Sequence, residues 1–372
     1  MSAPHTAFDL SHTTPRDLGL HMPAEWEPHA ATWIAWPHNS EDWPGKFAPI
    51  PWVYGEIVRH LARVEHVHIL VNDAAAEKRA QRLLARCGAD LQHIAFHVWP
   101  TDRVWLRDSG PIFLTPTTAA RADAPPLALT NWKFNAWAKY DNWHNDDLIP
   151  THIAKLLSVP AWTPEITLAN DPSHRVVLEG GSIDVNGAGA LLTTEECLLS
   201  SVQERNPGIT REQLEQCFHH YLGVDQVLWL NRGIAGDDTH GHVDDIARFV
   251  DCTTILAAVE PHREDENYAP LQENLDRLRS ARTRDGKPYH IVELPLPAPV
   301  VFEGQRLPAS YANFYIANGL VLAPTYNDPN DRVALNILAE QFPRHQVVGI
   351  HSVDFIWGLG AMHCMTQQQP AI

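Results

Sequence analysis

Cys364 sits in the C-terminal stretch Gly358-Leu359-Gly360-Ala361-Met362-His363-Cys364-Met365-Thr366-Gln367-Gln368-Gln369-Pro370, between a glycine-supported turn and a polar run. Glycines ahead of a reactive side chain allow turns that a Cβ forbids and let a substrate approach closely, so this cysteine reads as a presented nucleophile. The competing reading is a small apolar side chain buried in a terminal strand, where free cysteine is commonly found. Upstream, Trp105-Leu106-Arg107-Asp108-Ser109-Gly110-Pro111 offers one carboxylate and Leu178-Glu179-Gly180-Gly181-Ser182-Ile183-Asp184 another. Asp237-Asp238-Thr239-His240-Gly241-His242-Val243-Asp244-Asp245 adds histidines among further carboxylates. A thiolate with a histidine proton shuttle suits acyl or amidine transfer. Carboxylates would repel the oxyanion forming on an attacked amide carbonyl, whereas they match a planar, cationic guanidinium. The combination points to a guanidine substrate.

Each residue has a plainer reading. Asp108 lies among turn formers, and Glu179 could pair a surface lysine at a strand end. His240, His242 and Asp244 alternate as zinc ligands do on an extended segment, but Asp245 stands where such sites often carry another histidine, and no remaining ligand set follows. His219 and His220 read as a solvated or interfacial helix face. Gly358-x-Gly360 is too near the C-terminal end to open a dinucleotide-binding unit, and neither a phosphate-binding Gly-Lys-Ser/Thr loop nor a Gly-x-Ser-x-Gly elbow is present.

The elements that must position these residues recur. A helical stretch followed by a short β-branched or aromatic strand appears as 52–63 then 66–71, 74–87 then 93–99, 211–222 then 226–230, 270–281 then 289–294, and 331–342 then 346–350. Recurrence of one unit suggests stacked or radial repeats. If the units surround an axis, the loops carrying Asp108, His242 and Cys364 gather at one end of it, as loop-borne sites do on a rigid scaffold. With 372 residues, 44% of them hydrophobic, and no linker, the chain is expected to form a single domain over 1–372. Five cysteines without paired spacing argue for reduced thiols. The formal net charge of −17 argues against nucleic acid or an anionic membrane as partner and mildly favours a cationic ligand. Met1–Leu20 lacks a leader pattern and no run of about 18 apolar residues exists, so a cytoplasmic protein is expected. A homo-oligomer is compatible with the sequence, which does not fix the oligomeric state.

Trp-x-Arg-Asp-Ser-Gly-Pro at Trp105–Pro111, Glu-Gly-Gly-Ser-Ile-Asp at Glu179–Asp184, Asp-Asp-Thr-x-Gly-His-Val-Asp at Asp237–Asp244, Ser-Tyr-x-Asn-Phe-Tyr-Ile-Ala-Asn at Ser310–Asn318 and His-Cys-x-Thr-Gln-Gln-Gln-Pro at His363–Pro370 closely resemble the agmatine deiminase family, which takes in the bacterial peptidylarginine deiminase type. Met22–Trp26 and Asn131–Trp137 look like it too. The resemblance runs from about residue 22 to the C-terminus. It implies an α/β pentein fold, a five-bladed α/β propeller with pseudo-fivefold symmetry and its active site on the axis. By motif position it also implies Cys364 as nucleophile, His242 as general acid/base, Asp108 and Asp244 as guanidinium clamps, and Glu179 orienting His242 or the substrate. Trp105 and Asp238 would lie along the substrate's alkylamine arm, and Asn313 would line the pocket. The implied reaction converts agmatine to N-carbamoylputrescine and ammonia through a covalent thiouronium, in putrescine biosynthesis, with no metal or organic cofactor. A deiminase of arginine or peptidyl-arginine is the alternative within the class; a zinc hydrolase on His240, His242 and Asp244, or an inactive binding module, lies outside it. Two features depart from the family pattern: Leu359 and Ala361 stand where agmatine deiminases usually carry Gly and Asn, and His240 stands where plant-type members carry Asn.

Overall fold

The computed structural model describes residues 13–372. The first twelve residues, which include most of the stretch read for a leader and the start of the 1–372 span, lie outside the described residues.

Five sheets share one plan, in which a first strand pairs antiparallel with a second, and the second pairs parallel with a third reached through a helix. One set is Ile112–Pro116, Ala128–Thr130 and Ala161–Trp162 with helix Ile149–Leu157 in the crossover and Leu20–His21 added at its edge. Next come Asp184–Val185, Ala190–Thr194 and Gln226–Leu230 with helices Glu195–Leu199 and Arg211–Leu222. Ala247–Phe249, Thr254–Val259 and His290–Pro295 follow with helix Tyr268–Ser280, then Tyr315–Ala317, Leu320–Thr325 and Gln346–His351 with helix Pro329–Gln341. The last sheet joins the two ends of the chain. The C-terminal strand Thr366–Pro370 pairs antiparallel with the N-terminal strand His29–Ala35, which continues in parallel to His66–Val71 and Ile94–Val98. That pairing brings both ends of the chain into one sheet, and the mixed α/β content is that expected from the resemblance.

Local chemistry accounts for these elements. Helix Ala74–Cys87 starts where the Asp73 carboxylate accepts the Ala76 N–H at 2.6 Å, and it stops at Gly88 in the left-handed region. Capping boxes start Arg211–Leu222, through Thr210 and Gln213, and Pro329–Gln341, through Asp328 and Asp331. The second strands Ala190–Thr194, Thr254–Val259 and Leu320–Thr325 are almost wholly buried. They therefore read as apolar runs and not as alternation. Burying one of their leucines stabilises the fold by about 1.5–3 kcal/mol, and Leu322→Ala would cost about 2–5 kcal/mol. The largest apolar cluster holds Trp33, Trp43, Tyr54 and Phe355 and extends to Trp105 and Cys364, so the site wall is continuous with the core.

The repeats read from periodicity are present but not one per sheet. The units at 52–71 and 74–99 both belong to the sheet that joins the chain ends. The unit formed by helix Ile149–Leu157 and strand Ala161–Trp162 escapes pattern reading because its strand has two residues. Among the described residues no helix is long and apolar enough to cross a membrane.

Candidate active site

Each sheet carries one chemically committed residue just ahead of its first strand: Asp108 before Ile112–Pro116, Glu179 before Asp184–Val185, Asp244 before Ala247–Phe249, Asn313 before Tyr315–Ala317 and Cys364 before Thr366–Pro370. The short helical turns Leu106–Ser109, Gly180–Ser182 and Val243–Asp245 aim the first three inward, and all five residues are buried. His242 precedes the third turn and lies at the centre of the group. Its Nδ1 is 3.8 Å from Asp108 Oδ1 and 4.0 Å from Asp244 Oδ1, and its Nε2 is 3.6 Å from Glu179 Oε2. Gly181 makes this crowding possible. Its N–H donates to Asp108 Oδ1 at 3.0 Å, and a Cβ there would stand 2.6 Å from His242 Nδ1 and 2.8 Å from Asp108 Oδ1.

Cys364 faces this group. Its Sγ lies 3.7 Å from Asp244 Oδ2 and receives the Asn313 Nδ2–H at 3.0 Å. Asn313 also donates to Asp245 Oδ1 at 2.9 Å, and its Oδ1 accepts the His363 N–H at 3.0 Å and the Cys364 N–H at 3.3 Å. It therefore fixes the Cys364 backbone from behind. Asn313 thus touches the Cys364 sulfur, while the cavity wall itself is made by other residues.

A further buried layer holds Asp244. His363 places Nδ1 2.7 Å from Asp244 Oδ2 and Nε2 2.7 Å from Glu25 Oε2, and the same Glu25 oxygen accepts from Arg248 at 2.9 Å. Arg205 donates to Glu179 Oε1 at 3.1 Å, leaving Oε2 toward His242. Pattern reading missed Glu25, His363 and Arg205. Glu25 and His363 lie within the recognised motif stretches, but nothing in their spacing reports the pairing.

The charges are mutually adjusted. Burial pushes Asp108 up to about 6; the His242 charge opposes the shift, while Asp244 and Glu179 add to it. Burial also works against ionised Glu179, yet Arg205 and His242 bring it down to about 2. For His242 burial disfavours the imidazolium, but the charge of Asp108 and the contact with Glu179 hold its pKa well above the ordinary histidine value. Burial, with Asp244, Asp245 and Asp108, holds the Cys364 thiol well above the ordinary cysteine range. Burial and the charges of Asp244 and Asp237 likewise push Asp245 well above the usual carboxylate range.

The group opens on a cavity of about 490 Å³ whose wall includes Cys364, Asp108, Trp105, Trp137, Tyr140 and Leu359. Glu41, Asp42, Asp141 and Asp238 line it too, with Arg103 as the cation on the wall. Arg103 donates to Asp42 at 2.7 Å and Asn142 at 3.1 Å and stacks 4.1 Å above Tyr140. Trp105 and Asp238 both lie on the wall, and Asp238 is engaged by Lys139 and by the Tyr140 hydroxyl at 2.7 Å. Of the two departures in the tail, Leu359 lies on the wall with φ 68°, and Ala361 is buried behind it.

The alternating zinc set does not assemble. His240 has φ 63° and Gly241 φ 97°, so the segment is not extended, and His240 turns to Ser200 Oγ at 3.2 Å.

The model of the Porphyromonas-type peptidyl-arginine deiminase family matches residues 21–370. The chain belongs to that family. Among curated relatives, it is 36% identical to an agmatine deiminase of Stutzerimonas stutzeri over 96% of this chain and 98% of the relative. It is 35% identical to an agmatine deiminase of Medicago truncatula over 96% and 98%. Among solved structures, an agmatine deiminase of Enterococcus faecalis, described as catalysing its reaction, superposes with a TM-score of 0.85 at 29% identity, covering 96% of this chain and 98% of that one.

Proposed function

We propose that the chain is an agmatine deiminase, hydrolysing agmatine to N-carbamoylputrescine and ammonia through a cysteine-bound thiouronium, in putrescine biosynthesis. The observation that carries this reading is the Cys364 thiol on the wall of an acid-lined cavity, 3.7 Å from Asp244 and sharing that wall with Asp108, which lies 3.8 Å from His242. A pocket of carboxylates around a thiol suits a cation whose carbon is the electrophile, and a guanidinium has that form.

In the resting site the thiol keeps its proton. A guanidinium held between Asp108 and Asp244 offsets the negative charges that raise the thiol, so substrate binding itself favours the thiolate. The released proton leaves to water. Sulfur then attacks the guanidinium carbon to give a neutral tetrahedral adduct. The His242 imidazolium protonates one nitrogen, which departs as ammonia, and a thiouronium remains on Cys364. Water adds to that carbon as neutral His242 takes its proton, and collapse expels the Cys364 sulfur, which regains a proton as the adduct's hydroxyl gives one up to become the carbonyl of the ureido product. Glu179, fixed by Arg205, keeps Nε2 of His242 oriented while Nδ1 faces the reacting group.

The arm favours agmatine over arginine. Arginine adds a carboxylate that would meet Glu41, Asp42, Asp141 and Asp238, and Arg103, the cation it would need, is held by Asp42 and Asn142. Ammonia release measured over agmatine, arginine, arcaine and arginyl peptides tests this, and equal or better turnover of arginine or a peptide would leave only the deiminase chemistry standing. We take residues 1–372 as one catalytic domain with a site drawn from all five sheets. Free thiols at all five cysteines suit the reducing cytoplasm, which is the proposed location.

A further inference from the structure

Cys197 takes no part in the chemistry above, yet its sulfur lies close to His242 and Glu179. Helix Glu195–Leu199 begins where the Thr194 hydroxyl accepts the Cys197 N–H at 3.0 Å, and Cys197 is buried. Its sulfur, a ring nitrogen of His242 and a carboxylate oxygen of Glu179 all lie within 4.8 Å of one another. Both ring nitrogens of His242 and Oε2 of Glu179 are buried without a hydrogen-bond partner, a situation that native interiors normally avoid. Donors of types S, N and O are therefore gathered within 4.8 Å of one another, the N and O among them without a hydrogen-bond partner.

We propose that Cys197, His242 and Glu179 form a binding site for a thiophilic divalent cation of the Zn²⁺ class, and that occupancy withdraws His242 from the reaction. A thiolate, an imidazole and a carboxylate are the donors that such an ion takes, whereas Mg²⁺ and Ca²⁺ require oxygen cages. Tetrahedral bonds of about 2.0–2.3 Å place donors roughly 3.3–3.8 Å apart. His242 Nε2 and Glu179 Oε2, at 3.6 Å, already meet that spacing, and the sulfur needs to close by about 1 Å. Arg205 occupies only Oε1 of Glu179, so Oε2 remains for the metal. The ion replaces one proton on the Cys197 sulfur and one on the His242 imidazole, both released to water, and the charge beside Arg205 is unchanged. Cys364, which lies 3.7 Å from Asp244, is not one of the three donors. Its inhibitory consequence rests on the reading of His242 as the proton carrier; the binding itself does not.

The test begins with Cys364→Ser, which removes the nucleophilic thiol and with it any metal bound there. Titrated with Co²⁺, this variant should develop a thiolate-to-cobalt absorption that saturates at one equivalent per chain, and Cys364→Ser/Cys197→Ala should not. In the parent enzyme, Zn²⁺ should stop ammonia release and a chelator should restore it. An outer partner of a ligand is already worth about 10–100-fold in metal affinity, so loss of the Cys197 ligand should weaken inhibition by at least about 100-fold. Circular dichroism and a thermal melt check folding, with Cys197→Ser as the substitute if alanine lowers the melt. Cobalt absorption that survives the double substitution, or zinc inhibition unchanged in Cys197→Ala, overturns the proposal. A parent enzyme that releases no ammonia from any guanidine would defeat the functional reading alone, because the cobalt titration still decides the site.

Discussion

Gly181→Ala isolates the geometry of the proposed site from its chemistry, because it adds one methyl group and removes no functional group. Gly181 is not in the left-handed region, so alanine meets no backbone penalty there. The added Cβ, however, would stand 2.6 Å from His242 Nδ1, 2.8 Å from Asp108 Oδ1 and 3.1 Å from Asp244 Oδ2. All three atoms belong to buried side chains held from behind: Asp108 by Trp137 at 2.9 Å, Asp244 by His363 at 2.7 Å, and His242 against Glu179 at 3.6 Å. Restoring an ordinary contact moves the imidazole by roughly 0.8 Å, and a misplacement of about 1 Å costs on the order of 100-fold in rate. The expected result is a fall in kcat/KM for agmatine of about 100-fold, or about 2.7 kcal/mol of transition-state stabilisation. Ammonia release gives the rate, and circular dichroism shows whether the fold persists. A folded Gly181→Ala enzyme within threefold of the parent would refute the placement of His242, Asp108 and Asp244 as one reacting group.

Cys364→Ser should abolish turnover with the melt unchanged, and if alkylation inactivates the enzyme while labelling only Cys87, Cys197, Cys217 or Cys252, another thiol is the nucleophile. The Cys364 thiol and the His242 imidazolium are both held above their ordinary values, so kcat/KM should rise with pH as the thiol ionises and fall as the imidazolium loses its proton. The maximum then lies above the ordinary histidine value of about 6.5, and a pH profile peaking below it counts against this protonation state. For the arm, agmatine should exceed arginine by at least about tenfold in kcat/KM, roughly 1.4 kcal/mol. Asp238→Asn should reduce agmatine turnover more than that of an alkylguanidine without the amine, and equal losses for both would remove Asp238 from the arm. Glu25→Gln leaves Arg248 and Arg107 short of their buried counter-charge, so denaturant melts should show a loss of about 3–5 kcal/mol; a loss below about 1 kcal/mol would mean that the network does not hold the site together.

The candidate site residues were named in the sequence by motif, the scaffold only by period. Cys364, His242, Asp108, Asp244 and Glu179 sit in stretches that resemble a known family, whereas residue type alone left a plainer reading open, as a core cysteine for Cys364, which does pack against the apolar cluster. The sheets announce themselves only where a helix is long enough to show its period. Ile149–Leu157 with its two-residue partner strand did not, and two neighbouring units of one sheet passed for two repeats. Partnerships between distant segments were invisible in principle. Glu25 meets His363 across the join of the two chain ends, and Asn313 reaches Cys364 from the sheet before the last. Asp238 shows the cost of that blindness most directly. Read alone, it is a free carboxylate awaiting an ammonium, but folding brings Lys139 and Tyr140 onto it. The arm's end is therefore a balanced set of charges, and a substrate ammonium must compete with Lys139 for Asp238 or settle against Glu41 and Asp141 on the same wall. Selectivity between cationic arms is then a difference between two ways of pairing the same carboxylates. Reading it required knowing which loops meet, and no single loop in the sequence carries that information.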